Sequence, residues 1–183
     1  MRPNTTEAKD LNVKETAKLI RANLKQFKGV KFSVRSERGG SIRIVYYDGP
    51  AKNEVEKVAK IGGKGFDGMI DLAYYKYHWF NPKTGDIKYA GTKGTLQNGG
   101  SEPEVWHEKP SQDYELVSID AGYVFIERKF TEDGANKISK KFAEKYGLRD
   151  KMTVEPFMSE FEVYFKNFGD KDEFYRYANE TSL

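Results

Sequence analysis

Between Val13 and Phe27 apolar side chains recur every three or four residues, at Val13, Ala17, Ile20, Leu24 and Phe27, which is the spacing of a single helical stripe. Asn12 precedes the stripe with Glu15 three residues on, the pairing of a capping box, and Gly29 offers a stop. The period then changes to two. Phe32 and Val34 oppose Lys31, Ser33 and Arg35, and Ile42, Ile44 and Tyr46 oppose Ser41, Arg43, Val45 and Tyr47. Glu37, Arg38, Gly39 and Gly40 join the two runs, and glycine accepts the positive φ of a tight turn. The pattern predicts a helix followed by a hairpin with one apolar face and one basic, hydroxylated face.

Asp48-Gly49-Pro50 ends the hairpin and hands over to a second helix, with Val55, Val58, Ala59 and Ile61 as its core-facing positions. Gly62-Gly63-Lys64-Gly65 breaks that pattern. It lacks the Gly-Lys-Ser/Thr ending of a nucleotide-binding loop, and the glycine-x-x-glycine loop of KH domains joins two helices, whereas an aromatic strand follows here. A flexible turn is the expectation. Phe66, Tyr74, Tyr75, Tyr77, His78, Trp79 and Phe80 favour strand, Asn81 to Gly85 a turn, and Asp86 to Ala90 a returning partner. Residues 91–113 read as a long loop. Strands are expected at Tyr114 to Ile119 and Gly122 to Phe130, the latter with an imperfect alternation through Tyr123, Phe125, Arg128 and Phe130. Thr131 caps a third helix with Ile138, Phe142 and Tyr146 on its buried face and Gly147 past its end. Pro156 then separates it from an aromatic strand, Phe161 to Phe168, and a short helix from Asp170 to Tyr177 closes the pattern. The fold class is α+β: antiparallel hairpins packed with three or four helices, with an αββαββ domain over 1–90, a loop over 91–113 and a further α+β region over 114–183.

Composition narrows the class. The 183 residues, 38% hydrophobic and 14% aromatic, suffice for a packed core, and no apolar run approaches membrane-spanning length. The first residues lack the apolar centre of a secretory signal, and there is no cysteine, so an intracellular, cytosolic protein is expected. The net charge of +3 is unevenly placed. Residues 1–50 carry eleven basic against five acidic side chains, an excess of six, and the balance reverses after residue 150. Lys14, Lys18, Arg21, Lys25 and Lys28 repeat the helical spacing one residue out of phase with the apolar stripe, forming a cationic row. Such a row is ordinarily a solvated face. Together with Lys31, Arg35, Arg38, Arg43 and Lys64 it is also a candidate surface for nucleic acid or a nucleic-acid-bearing partner. Tyr47, Tyr75 and Trp79 are the candidate interface aromatics.

Catalytic chemistry is sparsely supplied. His78 and His107 are the two histidines, and no nucleophile elbow, kinase or zincin pattern is present. His107 with Glu104 and Glu108 could hold a divalent ion, and Asp67 and Asp71 could pair, but acids in a solvated loop and an even spacing on a strand explain both. The residues point to binding rather than catalysis, with no metal and no cofactor.

Ala17-Lys18-Leu19-Ile20-Arg21, Val30-Lys31-Phe32-Ser33-Val34-Arg35-Ser36, Gly40-Ser41-Ile42-Arg43-Ile44, Asp48-Gly49-Pro50 and Phe66-Asp67-Gly68-Met69-Ile70-Asp71, in that order, resemble a family of large polyvalent protein-associated domains. The resemblance spans about residues 12–80. It implies a setting in phages and conjugative elements, in conflict with bacterial immunity. Small stand-alone proteins of that setting are often inhibitors of restriction or CRISPR effectors. The implied function is a non-enzymatic anti-CRISPR that binds a type II RNA-guided DNA nuclease with its guide RNA, with double-stranded DNA as a second contact. The alternatives are an accessory domain that protects incoming phage or plasmid DNA, and a metal-dependent enzyme built on His107. Exposed hairpin edges make a homodimer a further expectation.

Overall fold

The computed structural model describes residues 3–67, 72–94, 106–147, 152–157, 160–165 and 171–183. In chain order it contains β1 (Lys9–Leu11), α1 (Val13–Leu24), β2 (Phe32–Ser36), β3 (Ile42–Tyr47), α2 (Lys52–Ala59), β4 (Lys64–Asp67), β5 (Leu72–Phe80), β6 (Ile87–Gly94), β7 (Glu115–Ile119), β8 (Val124–Lys129), α3 (Glu132–Tyr146), β9 (Met152–Phe157), β10 (Glu160–Phe165) and α4 (Lys171–Glu180). The α+β class holds. No helix among the described residues is long and apolar enough to cross a membrane.

The Asn12 capping box is formed. Its side chain accepts from the N–H groups of Lys14 and Glu15, and Glu15 returns a carboxylate oxygen to the Asn12 N–H at 2.9 Å. Ala17, Ile20 and Leu24 are buried as the spacing requires, with Thr16 and Leu19 beside them. The helix ends at Leu24 rather than at Gly29, because the last turn gives way to bends before Gly29 takes φ +82°. The hairpin turn is as expected: Gly39 and Gly40 lie at φ +87° and +79°, and the Glu37 N–H donates to the Ser41 carbonyl at 2.8 Å. Val34, Ile42, Ile44 and Tyr46 are buried while Arg35, Arg43 and Tyr47 are exposed.

Contact density divides the chain into two interleaved units, the first from 1–26, 34–43 and 58–125, the second from 27–33, 44–57 and 126–183. The first holds a five-stranded sheet centred on β5. One edge of β5 takes β6; the other takes β4 opposite Leu72 to Tyr75 and β7 opposite Tyr77 to Phe80. The short β1 adds to β7 in parallel, a pairing too brief and too distant in sequence to register as a period. The strand β6 runs on to Gly94, four residues into the stretch read as loop. Trp79, Ala90 and Leu116 form a core cluster here. The glycine cluster is a packing device and not a flexible turn. Gly63 is buried, its N–H donates to Ala121 O at 2.8 Å, its carbonyl accepts from the Lys76 N–H at 2.8 Å, and a Cβ would overlap the Ile119 carbonyl oxygen. The strands β2, β3 and β8 form a three-stranded sheet in that order.

In the second unit α3 is capped by Thr131, whose hydroxyl accepts from the Gly134 N–H at 3.1 Å, and is closed by Gly147 at φ +65°. Ile138, Phe142, Phe174 and Ala178 pack into one cluster. Pro156 does not separate elements: it lies within β9, opposite Phe161 of β10. The Asp48-Gly49 corner is the tightest feature. Asp48 sits at φ +54° and Gly49 at φ +63°, where a Cβ would lie 2.9 Å from Val30 Cγ2. The Asp48 carboxylate accepts from the Thr131 N–H at 3.0 Å and hydroxyl at 2.7 Å. Beneath the corner lies Arg128, which is 8% exposed. It donates to the carbonyls of Asp48 (2.9 Å), Gly49 (3.0 Å), Ala178 (2.5 Å) and Thr181 (2.8 Å). Its guanidinium also covers the Phe130 ring at 4.7 Å. Burial lowers its pKa, and burial pushes the neighbouring Tyr46 phenol up to about 12.

Candidate functional site

Eight of the nine sequence-selected cations, Lys14, Lys18, Arg21, Lys25, Arg35, Arg38, Arg43 and Lys64, fall in the first unit; Lys31, exposed, belongs to the second. α1 is tied to the hairpin at two points. A Cβ on Gly40 would touch Val13 Cγ2 at 4.0 Å near the helix start, and Arg21 Nη2 donates to the Val34 carbonyl at 2.7 Å near its end. The helix therefore runs alongside the hairpin, and its cations travel with Arg35 and Arg38.

The cations then separate into two groups. Arg21 is committed to Val34 O, and Arg43 is held by Glu37, Nε to Oε1 at 2.6 Å. Lys14, Lys18, Lys25, Arg35 and Arg38 are exposed and make no ion pair among the described residues. Lysine and arginine left without a neighbouring carboxylate keep their full charge for an incoming anion.

Lys64 has a different setting. Opposite Tyr75 in the β4–β5 register, it lines a cleft of about 600 Å³ with Asp10, Lys76, Ser118 and Asp120, where the Ser118 hydroxyl donates to Asp10. Two lysines face two aspartates there, so the cleft has no dominant sign. Tyr75 is 47% exposed and Tyr47 51%, in the second unit. Trp79, selected as an interface aromatic, is buried: it is 6% exposed, and its indole N–H donates to the His107 carbonyl at 3.0 Å. The β5–β6–β7 pairing covers it, an outcome that alternation within one strand does not specify.

His107 is exposed, its ring 5.6 Å from that of Tyr89. Glu104 and Asp71 lie outside the described residues, as does the side chain of Asp67. Among the described residues no three histidines or acids gather to hold a metal ion. His78 is buried with its Nδ1 unpartnered, and burial, with Lys76 adding to it, lowers its pKa to about 4.

Sequence reasoning missed one surface. Val124, Ile126 and Arg128 take the buried phase of β8, which turns Tyr123 (44% exposed) and Phe125 (47%) outward. The β-branched Val124 and Ile126 were the available signal, and Arg128 on the same phase masked it. Tyr123 and Phe125 stack with centroids 6.3 Å apart and planes 28° apart, and Arg43 lies 5.7 Å from the centre of the Phe125 ring. The Ile42 N–H donates to Tyr123 O at 2.9 Å and fixes β3 against β8 at this point.

Neither the curated proteins nor the solved structures contain a match to this chain. A family model does match, and over more than the stretch from 12 to 80 that carries the sequence resemblance: it covers residues 11–131, from the end of β1 through β8 to the Thr131 cap that Asp48 holds. With residues 11–131 of 183 matched, the chain belongs to the family of large polyvalent protein associated domain 29, a family associated with phages and other mobile elements.

Proposed function

We propose that this chain is a non-enzymatic binding protein of a mobile element that acts in the host bacterial cytoplasm, where it inhibits an RNA-guided DNA nuclease by docking on the guide-loaded complex. The observation that carries this reading is the set of five exposed cations on α1 and the hairpin, Lys14, Lys18, Lys25, Arg35 and Arg38, none of them in an ion pair among the described residues. Such a surface suits phosphate oxygens, whether of guide RNA or of target DNA, because each neutralised phosphate releases condensed counterions. An acidic DNA mimic would need a surface of the opposite sign, and the excess of six basic residues in 1–50 argues against one.

The test is a salt titration of binding to an arbitrary DNA duplex. Wild-type affinity is expected to fall linearly on a log–log plot. Lys14→Glu/Lys18→Glu/Lys25→Glu is expected to weaken binding about tenfold or more near 0.1 M salt and to reduce the slope by roughly three. Since all three side chains are exposed, the melting temperature should not move by more than a few degrees. Unchanged affinity and slope in the triple variant would remove α1 from the interface.

A further inference from the structure

We infer that the outer surface formed by Tyr123, Phe125 and Arg43 is a stacking platform for single-stranded nucleic acid. The inference rests on the nucleic-acid reading above and specifies the strand state that this part of the molecule takes. Three observations support it. Two aromatic side chains, each more than two-fifths exposed, project at i and i+2 from β8 and the residue just before it, with ring planes 28° apart, although burial would remove both from water. An exposed aromatic pair is a cost for a monomer, and a flat ring face is what an unpaired base needs. Their separation of 6.3 Å is the two-residue rise of a strand, which suits consecutive bases splayed one per ring.

Charge then favours nucleic acid over an apolar protein partner. Glu37 pins the Arg43 guanidinium at 2.6 Å, so that it sits over Phe125 in a fixed place instead of sweeping through solvent. By strand alternation Arg35 faces the same way as Arg43, since Val34 is buried, and Arg38 stands exposed at the hairpin turn. On the outward side of the hairpin, three arginines against one glutamate leave a surplus of two positive charges, and Glu127, two residues past Phe125 on the same phase, is paired with Lys129 at 3.3 Å. Arginine next to stacked aromatics is the combination that holds both the phosphate and the base of an unpaired strand. A duplex, whose bases are already stacked on one another, has no use for the rings.

The experiment measures anisotropy of a labelled single strand of about 15 deoxythymidines and of a duplex of the same length. Tyr123→Ala/Phe125→Ala is expected to weaken single-strand binding about tenfold or more while leaving duplex binding within about twofold. Tyr123→Trp/Phe125→Trp, which keeps the ring faces, is expected to retain single-strand binding. An alanine variant that folds as the wild type does and binds the single strand equally well overturns the platform. If it does so while duplex binding keeps its salt dependence, the cationic-surface reading survives alone. A wild type that binds neither probe overturns both. A wild type that ignores the single strand but loses a protein partner on alanine substitution also overturns the platform, in favour of protein docking.

Discussion

Arg128→Leu is expected to cost about 3–5 kcal/mol of stability and to lower the melting temperature by roughly 6–20 °C. The guanidinium serves four carbonyl oxygens at once, two from the Asp48-Gly49 corner and two from the end of α4 and the residues after it. Leucine fills much of the volume but donates nothing, so those carbonyls stay buried and lose a charged donor. The corner is where Asp48 and Gly49 are both at positive φ, a conformation that costs an aspartate more than it costs a glycine. The Leu183 N–H also donates to Gly49 O at 2.9 Å, so the end of the described chain should loosen with the corner. Arg128→Lys, with a point charge in place of a planar fork, should recover less than half of the loss. Urea unfolding followed by circular dichroism measures all three proteins, and a loss under 1 kcal/mol for Arg128→Leu would mean that the carbonyl cluster is not what holds this unit together.

The second large effect is a dependence on pH through His78. Its imidazole is 5% exposed, and its pKa is lowered from 6.5 to about 4 by burial first and by Lys76 second. Between those values the unfolded chain takes up a proton that the folded chain refuses, so stability falls as pH is lowered through this window. From pH 7 to pH 4.5 the wild type should lose about 2–3 kcal/mol more than His78→Phe, which keeps an aromatic ring and removes the titration. Parallel losses in the two proteins would show that His78 carries a proton in the folded state or is reached by water.

Local signals specified the elements they could specify. Asn12 with Glu15, Gly39 with Gly40, Thr131 with Gly147, and the alternation of Ile42, Ile44 and Tyr46 each act within a few residues, and the structure follows them. What was illegible depends on partners distant in the chain. Trp79 reads as an interface aromatic until β6 and β7 flank it. Gly63 reads as a turn until the Ile119 backbone approaches it, and Pro156 as a break until β10 pairs alongside. Arg128 is the sharpest case. A charged residue on the core phase of a strand makes the phase look reversed, and only the carbonyls of Asp48, Gly49, Ala178 and Thr181 explain how it is accommodated. That same ambiguity hid Tyr123 and Phe125. The cationic helix was readable as a row, but the loss of Arg21 to Val34 and of Arg43 to Glu37 was not.

The most direct measurement of the proposed function is a pull-down on the immobilised chain with a purified type II RNA-guided nuclease, loaded or unloaded with guide, alongside a target-cleavage assay. Retention of the guide-loaded enzyme and slower cleavage are expected, with loss of both in Lys14→Glu/Lys18→Glu/Lys25→Glu. Free duplexes that bind while neither form of the nuclease is retained and cleavage is unchanged would contradict the proposed function, and would leave a protein that escorts DNA.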